Sequence, residues 1–389
     1  MKKNRHNNKG FNLVEIIVSI AILAIVFSFI FFFVSSINYK NKNIENPPYI
    51  VNDYNYSNKY CHLENDQPNN LSQTQLINMS QYISTSTPIT SINIYQKNKI
   101  IITTNSASTT EKDIFIFDFN TAGDQINLNL IQTLEAGPGI NDALLHDNFF
   151  HVLNTSVNSH VKSFKINPVD SNISQIGDIK INELYTSGAL PKKIYLYNKS
   201  FYVGTEKNNS GGELFVLPLD SNNIPKNSTS SLEIGGQVSD IYENAGNLYV
   251  ANASDIELMV YDKGLNRLYS YDAPLSLGNG KSIYFSEPYV YLGRTVASFE
   301  LFFLEIKDNI LNFVSKNKAY GTVDFIQNVD QNILIISSSE NKELQFFTKK
   351  LDLLKTIDLP FRVNTYNCFE NTFLFSGLIN NQSNILWLK

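Results

Sequence analysis

From Ser91 to the C-terminus one pattern returns seven times, and it leaves few folds open to the chain. Its clearest copy is VSDIYENAGNLYVANASDIELMVYDKGLNRLYSYDAP, Val238 to Pro274. Four runs rich in β-branched, aromatic and leucine residues, Val238–Tyr242, Asn247–Ala251, Glu257–Tyr261 and Leu268–Tyr271, are parted by turn formers such as Ala245-Gly246 and Asp262-Lys263-Gly264. Each run therefore reads as a strand. Further copies begin at Ser91, Ala143, Lys193, Ser282, Val323 and Val363, a spacing of about 40–50 residues. Four strands at that period predict an all-β fold, a seven-bladed β-propeller. A β-sandwich lacks a repeated four-strand register, and β-solenoid periods are shorter. The copy at Val363 stops after its third strand. Leu71 to Ser84 reads as one helix or one strand; as a strand, Leu76–Ser84 completes the last blade from outside, so that both chain ends share one sheet and no open edge remains.

Single copies resemble the LVIVD and YVTN families of extracellular propellers. The likeness rests on NLYVANASDIELMVYDKGLNRL, DIFIFDFNTAG and ELFVLPLDSNN, each with a strand that ends near an Asp before a tight turn. The Gly-His and Trp-Asp pairs of WD40 repeats are absent, and Trp387 is the only tryptophan.

The N-terminus is of another kind. Lys9 to Asn38 reads KGFNLVEIIVSIAILAIVFSFIFFFVSSIN, and from Ile16 to Val34 the only polar side chains are Ser19 and Ser28. About 20 mainly apolar residues cross a bilayer as a helix. A helix of a soluble core would show a polar face, and this one has none. Lys2, Lys3, Arg5 and Lys9 precede it, which places the N-terminus in the cytoplasm and the rest outside. A carboxylate within a span costs on the order of 2–4 kcal/mol at its centre and less near its end. Glu15 is therefore read either as the tolerated end of a plain signal anchor or as part of a larger pattern. A secretory signal cut after the apolar run fits poorly, because the run is too long and no A-x-A site follows.

The larger pattern is Gly10, then Phe11, then Glu15 at the fifth position after the glycine, then an unbroken apolar helix. It resembles the signal of type IV prepilins and pseudopilins. The resemblance implies cleavage after Gly10 by a prepilin peptidase and N-methylation of Phe11. It also implies that Glu15 meets the terminal amine of a neighbouring pilin-like subunit during assembly by pilus or type II secretion-like machinery. Pro47-Pro48 stop any helix soon after the span, whereas pilins usually carry that helix on into the head. The departure suits a minor component better than a major filament subunit. The expected organisation is a leader at 1–10, a transmembrane helix at 11–38, a linker at 39–70 and the propeller at 71–389.

Composition narrows the function. Net charge is −5 and no basic stripe runs through the sequence, which argues against nucleic acid. Cys61 and Cys368 are the only cysteines. Outside the cytoplasm they form one disulfide or stay two unrelated thiols; ring closure would bring the linker near the last blade and favour the bond. No constellation carries chemistry. His62, His146, His151 and His160 lack metal-ligand spacing, and no D-x-D-x-D run offers a calcium site. Asp118, Asp170, Asp220 and Asp262 close repeated strands and read as turn formers. Gly211-Gly212, Gly235-Gly236 and Gly278-Asn279-Gly280 are blade turns, since none opens a helix. No cofactor, metal or catalytic residue is assigned. The expectation is a non-enzymatic surface protein whose propeller binds an extracellular protein or glycan. The alternative is an anchored propeller hydrolase of the lactonase kind.

Overall fold

In the computed structural model the described residues are 61–63, 68 and 71–389, apart from 96–97, 123–124, 157, 210, 228–229, 274–277, 296–297, 309, 340 and 370. They form seven four-stranded antiparallel sheets. The first blade holds β2 (Ile89–Tyr95), β3 (Lys99–Thr104), β4 (Ile114–Ala122) and β5 (Gln125–Leu134). The second holds β6 (Ile140–His146), β7 (Phe149–Asn154), β8 (Val161–Ile166) and β9 (Ile173–Ile179). A single turn of helix, α1 (Asn182–Ser187), leads to the third, with β10 (Pro191–Tyr197), β11 (Ser200–Thr205), β12 (Leu214–Pro218) and β13 (Ser230–Leu232). The fourth is β14 (Gln237–Asn244), β15 (Asn247–Ala253), β16 (Leu258–Tyr261) and β17 (Arg267–Tyr271). The fifth is β18 (Gly280–Ser286), β19 (Tyr289–Arg294), β20 (Leu301–Lys307) and β21 (Ile310–Asn317). The sixth is β22 (Val323–Val329), β23 (Asn332–Ser337), β24 (Leu344–Thr348) and β25 (Leu353–Ile357). The seventh joins β26 (Thr365–Phe369), β27 (Thr372–Ile379) and β28 (Gln382–Leu388) to β1 (Gln73–Asn78).

The burial of each strand follows its radius. Second strands such as β19 and β23 are buried along their whole length, because blades pack on both their faces. That is why their sequences, YVYLGR and NILIIS, are continuous rather than alternating. The outer strands β17 and β25 are mostly exposed.

Ring closure uses the N-terminal strand. β1 runs antiparallel to β28, with Leu76 opposite Leu386 and Asn78 opposite Asn384. The closing strand is shifted from the expected Leu76–Ser84. Beyond Asn78 the chain turns, with the N–H groups of Tyr82 and Ile83 both donating to the Met79 carbonyl at 2.9 Å. The turn puts Met79 and Ile83, four apart, into one core cluster with Ile89, Leu374 and Trp387. In an extended strand they would share a face but lie about 13 Å apart.

One buried device recurs in the first six blades. Asp113, His160, Glu213, Glu257, Glu300 and Glu343 each stand immediately before the third strand and are buried. Each accepts a backbone N–H from the residue two beyond the fourth strand: Ala136, Ile181, Ile234, Ala273, Ala319 and Leu359, at 2.7–2.9 Å. The peg satisfies an N–H that the buried blade-to-blade connection would otherwise leave unpaired. A bond of this kind to an ionised group is worth about 1.5–3 kcal/mol.

Candidate functional site

A propeller strand pattern gives the ring two faces. The connections from an outer strand to the next inner strand lie on one face, and the hairpins after each inner strand lie on the other. Charged residues gather near the start of the inner strands, at the first of these faces. Lys193 on β10 lies 3.6 Å from Asp142 on β6 and 3.6 Å from Asp240 on β14. Lys281 on β18 and Arg362, ahead of β26, flank Asp324 on β22 at 3.8 and 3.7 Å.

The two aspartates are also staples. Asp142 accepts the Ile194 N–H at 3.1 Å and Asp240 accepts the Ile283 N–H at 2.9 Å, each reaching into the following blade. In six blades the inner strand carries an irregular register at this level, as between Val238 and Asp240. Bulges of that kind free N–H groups for side chains to satisfy. Burial works to lower the Lys193 pKa, but Asp142 and Asp240 overcome it and hold the ammonium above the usual lysine range. Lys193 is thus held as the charge partner of both aspartates. Deeper in the channel Tyr195, Tyr242 and Tyr284 follow one another with ring centres 6.3 and 6.1 Å apart. Tyr366 donates to Gln327 Oε1 at 3.1 Å. Burial pushes the Tyr195 and Tyr366 phenols above their ordinary range, so both stay neutral.

The chain joins the ring at the opposite face. Cys61 is disulfide-bonded to Cys368, near the hairpin end of β26. Leu63 N–H donates to Asp330 Oδ2 at 2.6 Å, and His62 Nδ1 lies 2.5 Å from Asp330 Oδ1. Cys61 and Leu63 are buried in the core between the sixth and seventh blades. Asp324 and Asp330 belong to one inner strand and its hairpin, so the charged mouth and this anchorage are separated by about 20 Å.

The other sequence candidates fall as follows. Gly10, Phe11, Glu15 and the apolar segment 11–38 lie outside the described residues. Among the described residues no helix is long and apolar enough to cross a membrane. Asp170, Asp220 and Asp262 do build turns, accepting N–H groups of Asn172, Asn222 and Gly264 at 2.7–3.0 Å. Asp118 does not; β4 continues to Ala122, and Asp118 instead pairs with Lys99 across from it at 2.5 Å. His151 is sealed in the core with Nδ1 2.8 Å from Ser163 Oγ, and His146 lies 3.4 Å from Asp147. Among the described residues no three His, Cys, Asp or Glu side chains are placed to hold a metal ion. Gly211-Gly212 and Gly235-Gly236 lie in connections as expected, whereas Gly280 is already the first residue of β18. The mouth triad and the six pegs escape sequence reading, because each blade contributes one residue. The acid-then-apolar step at the third strand, as in Glu213-Leu214 and Glu257-Leu258, is the one signal that could have disclosed the pegs.

Residues 5–31 match the family model of the prokaryotic N-terminal methylation motif. That motif implies processing by a prepilin peptidase, dealings with pilus-type assembly machinery, and a membrane-anchored, surface-exposed protein. No curated protein matches the chain. Among solved structures, virginiamycin B lyase from Staphylococcus aureus is similar in fold, with a TM-score of 0.55 at 13% identity over 82% of this chain and 99% of that one. The WD40 β-propeller domain of Doa1 gives a TM-score of 0.55 at 8% identity, over 82% of this chain and 97% of that one. The computationally designed protein Ika8 gives 0.52 at 10% identity, over 79% and 98%. At such identities the likeness is one of fold. The chain thus carries a prepilin-type methylation motif followed by a seven-bladed β-propeller.

Proposed function

We propose that this is a minor prepilin-like surface protein that presents its propeller, outside the cell, as a non-enzymatic binding head for a protein or glycan. Cleavage after Gly10 exposes Phe11 for methylation. Glu15 then pairs with the terminal amine of a neighbouring subunit, which removes two charges that lipid solvates badly. The observation that carries this reading is the methylation motif at residues 5–31, standing ahead of a ring. Lys193, held charged between Asp142 and Asp240, suits recognition better than covalent catalysis.

Mass spectrometry of the native N-terminus tests the proposal. Methylated Phe11 is the expected terminus, and Gly10→Val should leave the chain starting at Met1. A wild-type chain that begins at Met1 overturns the reading.

A further inference from the structure

The connection between the fifth and sixth blades crosses the mouth face as a spoke, from Lys318 at the rim to Asp324 at the channel. Lysines line it. Lys316 Nζ sits 3.9 Å from the ring centre of Phe299, Lys342 Nζ 3.7 Å from that of Tyr320, and Lys318 Nζ 5.7 Å from the same ring. At the channel end Lys281 and Arg362 flank Asp324.

What sets this spoke apart is the counter-charge. On the third blade Lys192 is paired with Glu206 at 2.7 Å, and Lys193 has two aspartates. Among the described residues Lys316, Lys318 and Lys342 have no carboxylate partner within ion-pair range and lie on aromatic rings instead. A ring attracts an ammonium through its quadrupole but does not neutralise it. Of the acids that flank these lysines in sequence, Glu300 and Glu343 are buried pegs for Ala319 and Leu359. Phe299 and Tyr320 remain 37% and 47% exposed. On a chain of net charge −5, the spoke is therefore a local track of cations with no carboxylate partner among the described residues and with aromatic edges between them.

We propose that this track binds a linear polysaccharide that carries carboxylates. The inference deepens the glycan reading above and rests on it. A protein partner needs an interface of about 1,000 Å² with an apolar centre, and isolated rings on a narrow spoke do not supply one. Single-stranded nucleic acid needs open ring faces for its bases. Here ammonium groups cover a face of both rings, so ring edges and charges are what a ligand meets. A sugar chain with spaced carboxylates matches that surface, with its charges on the lysines and its apolar C–H groups against the rings.

The test uses full-length protein in detergent micelles, at physiological salt, with polygalacturonate, neutral dextran and oligo-dT as probes. Polygalacturonate should bind about ten-fold more tightly than dextran. Lys318→Gln with Lys342→Gln should weaken it about five-fold, while Lys192→Gln, across the mouth, leaves it unchanged. Should the double variant melt early, Lys318→Glu alone provides the same comparison at an exposed position. Equal binding of dextran and polygalacturonate, indifference to the lysine variants, or tighter binding of oligo-dT overturns the proposal. Running the assay on the uncleaved Gly10→Val protein separates the two claims, because the track does not depend on processing.

Discussion

Cys61 and Cys368 stand 307 positions apart in the chain, with Cα atoms 5.4 Å apart and a disulfide between them. Cys368 belongs to the inner strand of the seventh blade, which β1 already closes from outside. The bond therefore fastens the segment that precedes the ring to its last blade. Replacing both cysteines by serine should lower stability by about 2–4 kcal/mol in urea titrations. Coincident unfolding curves with and without reductant would count against that.

The β1–β28 pairing makes a second, non-covalent clasp. Trp387, fully buried, lies opposite Gln75 in that register and is the single tryptophan of the chain. Deleting residues 71–86 should shift its fluorescence to the red and broaden the unfolding transition. An unchanged spectrum and melt would show that the seventh blade holds without its outer strand.

Arg294 and Glu257 join the fourth and fifth blades at 1% and 2% side-chain exposure, with Arg294 Nη2 2.5 Å from Glu257 Oε1 and 2.9 Å from the Gly278 carbonyl. Burial raises the Glu257 pKa, opposed by the Ala273 N–H and by Arg294. Removing one partner strands the other charge, which costs about 3–5 kcal/mol. Arg294→Met should show that loss in urea. Adding Glu257→Gln to it should recover part, and a double-mutant cycle with no coupling would refute the pairing.

Stability should fall in acid through His151. Burial, and then His146, push its pKa down to about 3 from an ordinary 6.5. The unfolded chain therefore binds this proton first, so the contribution is complete above 6.5 and lost as pH falls towards 3. The slope is about 1.4 kcal/mol per pH unit. Asp113 acts with the opposite sign: burial raises it to about 6, so its contribution is present below 3.8 and fades as pH rises through 6. His151→Gln should flatten the acid limb of the stability curve. An acid limb as steep as that of the parent would refute this origin.

The blade count and the four strands of the copy at Val238 were legible in the chain, because strand and turn propensities act within a few residues and the period repeats them. β14 to β17 lie within two or three residues of the runs read from Val238 to Tyr271. The shift at β1 was not legible, since Met79 and Ile83 answer to a seam made with the far end of the chain. Nor were the six pegs: Glu213 or Glu343 reads as a surface residue until the neighbouring connection is known to be buried.

Local chemistry along the backbone thus decides that this chain makes strands, how many, and that a greasy signal precedes them. Only closure of the ring decides which residues share a site. Asp142, Lys193 and Asp240 are neighbours because three inner strands converge on one axis, and electrostatic contact depends on that distance in space, not on spacing in sequence.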